Sequence, residues 1–279
     1  MKIFDHVHQL ELSFYAAPNV RRSVFLYLLE GEHCYLIDTG IRGAEDVILD
    51  DIAQLGYAAG DLRSVFLTHA HPDHIGSAYR LKQLTGCSVY SSAGEQPWIA
   101  DIDVQFRARP IPNFYQLVSD SVTLDGTLSD GDTLCLDADL TLRVLETPGH
   151  SQASLSYLWL ERGILFTGDC IPSENDVPIY ENAEQSIRTL LRLQSLSGIH
   201  AVCPAWDRIY AENEWQTVLQ RQINRLQHIQ SCTEEVICRH PSASFEQLFP
   251  VICEQLGVPE LSGNPMFRRT IASHFPPRV

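Results

Sequence analysis

The chain is poor in positive charge. Twenty Lys and Arg stand against 35 Asp and Glu, a formal net charge of −15 over 279 residues. A surface so acidic repels phosphate backbones and anionic headgroups, which argues against nucleic acid and membrane as partners. Long apolar runs are also missing. Met1 to Glu11 contain no signal-peptide core, and later apolar stretches are strand-sized and broken by Arg, Glu or Gly, so no bilayer span is expected. Among eight cysteines no two form a C-x-x-C pair, and without an export signal they read as reduced, buried thiols. Repeats, low-complexity tracts and long linkers are absent too. The expectation is a soluble, cytoplasmic protein. With 44% hydrophobic and 20% charged residues it can bury a core, so wholesale disorder is excluded.

The first half alternates strand and helix. Val24–Leu29 and Cys34–Ile37 flank Glu30-Gly31-Glu32-His33 as a hairpin, and a helix follows with Val47, Ile48, Ile52 and Leu55 on one face. Ser64–Thr68 reads as a strand, Ile75–Leu84 as a helix and Cys87–Ser91 as a strand. From Thr133 to Thr167, apolar runs separated by turn residues predict a meander. A helix at Ala183–Leu196 has Asn182 and Gln185 at capping spacing, and Ile199–Cys203 is one more strand. Beyond Asp207 the pattern is helical, with helices near Trp215–Ile229, Phe245–Leu256 and Pro265–His274. Pro250 leaves the bounds of the second open.

The chemistry concentrates in Thr68-His69-Ala70-His71-Pro72-Asp73-His74-Ile75-Gly76, which leaves a strand and enters a helix. His69 and His71, two apart, can point the same way from a strand end. Asp73 stands where a helix cap would, and His74 opens the helix. Imidazole nitrogen with carboxylate oxygen suits Zn²⁺ and tolerates Fe or Mn. Two further pieces fall at strand ends, Thr147-Pro148-Gly149-His150-Ser151 and Phe166-Thr167-Gly168-Asp169-Cys170. Either alone is an ordinary turn. Their combination with the first motif is the signal, because open sheets place function beyond strand ends.

With the Ile37-Asp38-Thr39-Gly40 turn, these segments resemble the metallo-β-lactamase-fold superfamily of metallohydrolases, in its glyoxalase II-like branch, over about residues 20–207. The resemblance implies an α/β fold, an αββα sandwich with a metal centre at one edge of its two sheets. Residues 1–210 would form this core, and residues 211–279 a helical C-terminal extension packed on it. By the same resemblance His69, His71 and His150 bind a first metal, Asp73 and His74 bind a second, and Asp169 bridges the two. One or two zinc ions are implied, with Fe or Mn as alternatives. Such a metal lowers the pKa of its water from about 15.7 to about 7, giving hydroxide at neutral pH. Asp73 would orient this nucleophile or pass a proton to the leaving group, and Asp38 would buttress a histidine.

One departure stands out. Many dinuclear relatives carry a last histidine after the final core strand, where this chain reads Cys203-Pro204-Ala205-Trp206-Asp207. Indole cannot ligate a metal. Either the second site is weakened, or Asp207 reaches in, or one of His228, His240 and His274 folds back; Asp207 is preferred. Trp206 is expected to face the centre as a substrate-binding residue.

Substrate class is argued by elimination. A secreted β-lactamase needs an export signal, Arg268-Arg269 is a thin basic patch for a glutathione thioester, and the charge opposes a nuclease. A small-molecule ester, thioester or lactone hydrolase is the leading expectation. A mononuclear iron dioxygenase of the persulfide type and a non-catalytic metal-binding relative are the alternatives. Between residues 93 and 118, Arg107 and Arg109 could hold a substrate carboxylate or phosphate, but the preferred reading has them balance Asp101 and Asp103 on the surface. Trp98, Phe106, Phe114 and Tyr115 there read as packing groups. The helical tail could serve as a lid, a homodimer contact or core cover; its amphipathic pattern favours packing.

Overall fold

The computed structural model describes residues 1–17 and 20–275. A first sheet runs β1 (Lys2–Phe4), β2 (Val7–Ala17), β3 (Val20–Glu30), β4 (Cys34–Ile37), β5 (Leu62–Phe66), β6 (Ser88–Ser92) and β7 (Gly126–Leu128), side by side in that order. A second is ordered β13 (Tyr210–Ala211), β12 (Ala201–Pro204), β11 (Ile164–Gly168), β10 (Leu155–Trp159), β9 (Leu140–Glu146), β8 (Thr133–Asp137). Helices α1 (Ala44–Gln54), α2 (Pro72–Ile75), α3 (Ala78–Thr85), α4 (Gln96–Ala100), α5 (Ile102–Ala108) and α6 (Phe114–Leu117) belong to the first half. Helices α7 (Ala183–Gln194), α8 (Trp215–Arg239), α9 (Phe245–Gln255) and α10 (Pro265–Ala272) belong to the second.

Alternation along β3 builds the layers. Leu26 and Leu28 join Ile48, Ile52, Ala78 and Leu81 of α1 and α3 on one face. Tyr27 and Leu29 point the other way, into a layer between the sheets with Phe66, Leu142, Val144, Tyr157, Trp159 and Phe166. Burial on both faces explains why Leu26–Leu29 reads as a continuous apolar run. Against the far side of the second sheet, Leu165 and Val202 pack on Leu190 and Leu193 of α7 and on Trp215, Val218 and Leu219 of α8. The order of layers is therefore helix, sheet, sheet, helix: the αββα sandwich. The later part of α8 meets α9 and α10 through Val236, Leu248, Phe249, Ile252, Phe267 and Ile271.

Strand direction places the functional loops. β4, β5 and β6 are parallel, so the turns at Asp38 and Thr68 emerge from the same edge of the first sheet. In the second, β9 and β11 are each antiparallel to β10 and hence parallel to one another, while β11 and β12 are parallel. The loops bearing His150, Asp169 and Trp206 thus also share one edge.

Several elements differ from their sequence reading. The expected hairpin forms, with β3 antiparallel to β4 from the Tyr27–Ile37 pair to the Glu30–Cys34 pair, but a longer one precedes it, pairing Val7 with Leu29 through Ala17 with Val20. Its outer half is polar (Ser13, Arg21, Arg22, Ser23), which hid it from an apolar-run search. The helix expected over Ile75–Leu84 is broken at Gly76–Ser77. A Cβ on Gly76 would meet the Leu117 and Gly40 carbonyl oxygens at 2.3 and 2.5 Å, so only glycine permits this approach. Asp73 lies in the first turn of α2 with His71 at the cap position and Pro72 first in the helix. α1 buries Ala44, Ile48 and Ile52 but leaves Val47 exposed, and α8 continues ten residues past its expected end at Ile229. Pro250 sits inside α9 without ending it. Asn182 caps α7 as its spacing suggests, accepting from the Gln185 N–H at 2.9 Å. All eight cysteines are free thiols; Cys135 and Cys238 are exposed and the others buried. No helix among the described residues is long and apolar enough to cross a membrane.

Past the end of α10, His274 Nε2 lies 2.8 Å from the hydroxyl of buried Tyr180, and Thr270 Oγ1 donates to the Pro178 carbonyl at 3.1 Å. Burial holds the His274 imidazole down to about 4. Its folded-state value lies below the unfolded one, so the unfolded chain binds the extra proton first and stability falls as pH drops from about 6.5 towards 4. In urea titrations across this window, wild type should lose on the order of 2–3 kcal/mol more than His274→Phe. Parallel pH profiles for the two proteins would contradict this.

Candidate metal centre

Three loops bring six candidate ligand side chains to one place. His69 Nε2 and His150 Nε2 each lie 2.9 Å from His71 Nδ1. Asp169 Oδ2 is 3.2 Å from His150 Nε2 and 3.9 Å from His69 Nε2. Its other oxygen, Oδ1, is 3.0 Å from His74 Nε2, which is in turn 3.6 Å from Asp73 Oδ2. Two groups result, His69–His71–His150–Asp169 and Asp73–His74–Asp169, and Asp169 offers one oxygen to each.

The surroundings fix which imidazole nitrogen faces inward. His69 Nδ1 is 2.9 Å from Thr68 Oγ1, which itself donates to Asp38 Oδ2 at 2.8 Å. That hydroxyl has one proton to give, so His69 Nδ1–H is the donor and its Nε2 keeps a lone pair. His150 Nδ1 donates to the Ile179 carbonyl at 2.8 Å, and His74 Nδ1 donates to Asp38 Oδ2 at 2.8 Å. With neutral rings, those two histidines also turn lone pairs inward. His71 Nδ1 therefore faces two lone pairs and has at most one proton with which to satisfy them. His74 Nε2 and Asp169 Oδ1 are buried with no hydrogen-bond partner. A cation resolves every one of these conflicts. Donors about 2.1 Å from a shared tetrahedral ion lie about 3.4 Å apart, within the range of separations seen. The residues fit a divalent metal.

Charges follow the same geometry. Burial drives the His69 and His71 imidazoles well below their ordinary value, with nearby positive groups adding to it. Burial also opposes charge on His74, but the carboxylates of Asp169, Asp38 and Asp73 overcome it and hold His74 well above the usual range. Burial raises the Asp73 carboxyl. Asp169 is buried too, yet its imidazole neighbours, His74 foremost, hold its carboxyl low.

Two supports escaped the sequence. Buried Glu95, just before α4, accepts from the Ala70 N–H at 2.9 Å, between His69 and His71. Its other oxygen accepts from the Ala153 N–H at 2.9 Å and from the Ser151 hydroxyl, beside His150. One carboxylate thus joins the histidine loops of both sheets. Gln105 of α5 takes the opposite end of the Ala70 peptide, donating from Nε2 to its carbonyl at 2.6 Å. Neither residue has motif spacing, so no sequence signal could have found them. Asp38 does take the buttressing part expected of it, on His74, with its backbone held at φ 61°. Gly168 locks the two sheet edges together: at φ 51° it lies so close to Thr68 that a Cβ would meet Oγ1 at 2.6 Å.

Trp206 and Asp207 part company. The Trp206 indole Nε1–H donates to Asp169 Oδ2 at 2.9 Å, and the ring lines a cavity of about 230 Å³ with Arg21, Arg22, Ser23, Ser173, Asn175 and Asp176. Asp207 does not reach the cluster. Its carboxylate accepts from Ser173 Oγ at 3.2 Å and from the Glu174 and Arg208 N–H groups at 3.0 and 2.8 Å, so those loop donors outcompete the centre. Nor does a C-terminal histidine fold back: His274 meets Tyr180, His228 lies beside Cys232, and His240 closes α8. The surface reading of the arginine pair fails for one member, since Arg107 is exposed while Arg109 is buried. Asp101 and Asp103 are otherwise engaged, Asp101 capping α5 and Asp103 accepting from the Tyr115 hydroxyl.

A sandwich of two sheets with imidazoles and a shared carboxylate at one edge defines a metallo-β-lactamase-type protein. The model of the metallo-beta-lactamase superfamily matches residues 19–198, well over half of the sequence, and the chain belongs to that family. It is 28% identical over 194 residues to hydroxyacylglutathione hydrolase of Methylococcus capsulatus, covering 67% of this chain and 64% of that protein. It is 28% identical over 163 residues to hydroxyacylglutathione hydrolase GloC of Haemophilus influenzae, covering 56% and 72%. Against several other relatives of the first name, the match spans about half of their length. Among solved structures, a metallo-beta-lactamase family protein from Thermus thermophilus superposes with a TM-score of 0.72 at 22% identity, covering 98% of this chain and 92% of that one. A beta-lactamase domain protein from Burkholderia ambifaria gives 0.74 at 19% identity, covering 98% and 86%.

His150→Ala should lose most of the bound metal in elemental analysis, whereas Asp207→Ala should retain it; equal loss in both would contradict this placement. Glu95→Gln, which weakens the tie between the histidine loops, should lower metal affinity about 10–100-fold in a chelator competition. Wild-type affinity in that variant would remove Glu95 from the centre's support.

Proposed function

We propose that the protein is a zinc-dependent hydrolase of a small-molecule ester, thioester or lactone. The observation that carries this reading is the inward convergence of three imidazole nitrogens and a shared carboxylate beside a second carboxylate–imidazole pair. His69, His71, His150 and Asp169 would hold the first ion. Asp73, His74 and Asp169 offer a second, three-ligand position. A metal held there polarises a carbonyl and brings the pKa of a bound water near 7. Three imidazoles and a carboxylate oxygen suit zinc, with iron or manganese as competitors.

The chain's own groups complete the reaction. Asp73 is partly exposed, and burial raises its carboxyl. In this reading it would take a proton from the attacking water and return it to the leaving group. Asp38 keeps His74 in one tautomer, and Glu95 keeps His69, His71 and His150 in register. Trp206 donates to the Asp169 oxygen that faces the first group, and it borders the cavity through which substrate would approach. That hydrogen bond also supports a second reading. With the indole on Asp169 and no further ligand in the Asp73–His74 group, a single-ion centre of the dioxygenase type is the competitor. One equivalent of iron after purification without added metal would favour it.

The test is hydrolysis of a panel of acyl thioesters, esters and lactones by metal-loaded protein. Chelation should abolish turnover, and zinc should restore it. Turnover that survives complete metal removal, or no turnover on any panel member with zinc bound, would defeat the proposal.

A further inference from the structure

Arg109 is 6% exposed at the C-terminal cap of α5. Its Nε is buried with no hydrogen-bond partner, and the carboxylate nearest to it, Glu181 Oε1, is 3.7 Å away and equally without one. A guanidinium cannot shed its charge, so burying it with a partner this loose is costly. The sequence marks Arg109 and Arg107 as anion-binding candidates, and only Arg109 lies inside.

Its position is specific. The Arg109 N–H donates to the Gln105 carbonyl at 2.7 Å, one helical turn from the side chain that clasps Ala70 between His69 and His71. Across from it, Glu181 lies two residues after Ile179, whose carbonyl orients His150. The guanidinium thus stands between the supports of the two histidine loops, and after burial it is the leading influence depressing His71. Arg269 of α10 donates to the Ala108 carbonyl at 3.0 Å and stands 3.9 Å from the same Glu181 oxygen. Two arginines share one carboxylate there, a local positive excess in a chain of net charge −15.

We propose that Arg109, backed by Arg269, receives a carboxylate of the substrate, so that the centre prefers acyl compounds with a free carboxylate near the scissile carbonyl. A planar guanidinium presents paired N–H donors matched to a carboxylate's two oxygens. The scissile bond rests on the hydrolase reading above; the anion site does not.

Calorimetric titration of the zinc-loaded full chain tests this without turnover. The probes are malonate, succinate and glutarate, their monoamides, and inorganic phosphate. Wild type should bind the best dicarboxylate at least tenfold more tightly than its monoamide. Arg109→Met should abolish that preference at unchanged zinc content, and Arg109→Lys should retain part of it. No preference in wild type, an undiminished preference in Arg109→Met, or tighter binding of phosphate than of any dicarboxylate would overturn the assignment. If Arg109→Met cannot be purified folded, Arg109→Lys decides: a preference reduced at least threefold supports the inference, and an unchanged one overturns it. Discrimination without hydrolysis of any ester would sink the hydrolase reading alone, and hydrolysis without discrimination would sink this one alone.

Discussion

Everything at this site depends on a confrontation of lone pairs. Three imidazole nitrogens meet at 2.9 Å, and two of them are barred from carrying a proton by what their outer nitrogens donate to. Such an arrangement is repulsive in itself and becomes stabilising only around a cation. The fold must hold it against that repulsion, which explains the polar scaffolding in a region otherwise packed with apolar side chains.

The scaffolding has two centres. Asp38 draws together the ends of β4 and β5 and the start of α2, accepting from the Thr68 N–H at 2.7 Å, from its hydroxyl and from His74. Glu95 reaches across to the second sheet. Each is a buried carboxylate with several N–H or O–H donors, the condition under which such a charge is tolerated. Arg109 breaks that rule. Among the described residues its ion partner is a single loosely placed carboxylate, and this contrast separates a group that builds the site from one that is kept for a ligand.

Trp206 changes the balance between the two ion positions. A histidine there would add a ligand to the Asp73–His74 group. The indole instead donates to Asp169 and packs edge-on against Phe14 at 6.0 Å. It competes for one oxygen of the shared carboxylate and leaves the other, Oδ1, pointing at His74.

The sequence by itself determined the chemistry that spacing can encode. His69, His71, Asp73 and His74 sit in one turn of chain, and His150 and Asp169 each follow a readable strand, so the cluster and the layered α/β fold were legible from local pattern. Asp38 was legible because it belongs to such a turn. Only the tertiary structure decided what depends on which loop lies beside which. Glu95 and Gln105 look like surface residues until the Ala70 peptide is brought to them. Asp207 is turned away by backbone donors at residues 174 and 208, and Arg109 is taken inside by its place after α5. Hydrogen-bond partners 25 to 58 residues away leave no period or motif behind. Periodicity reports which way a side chain faces, and only the packed fold reports what it meets.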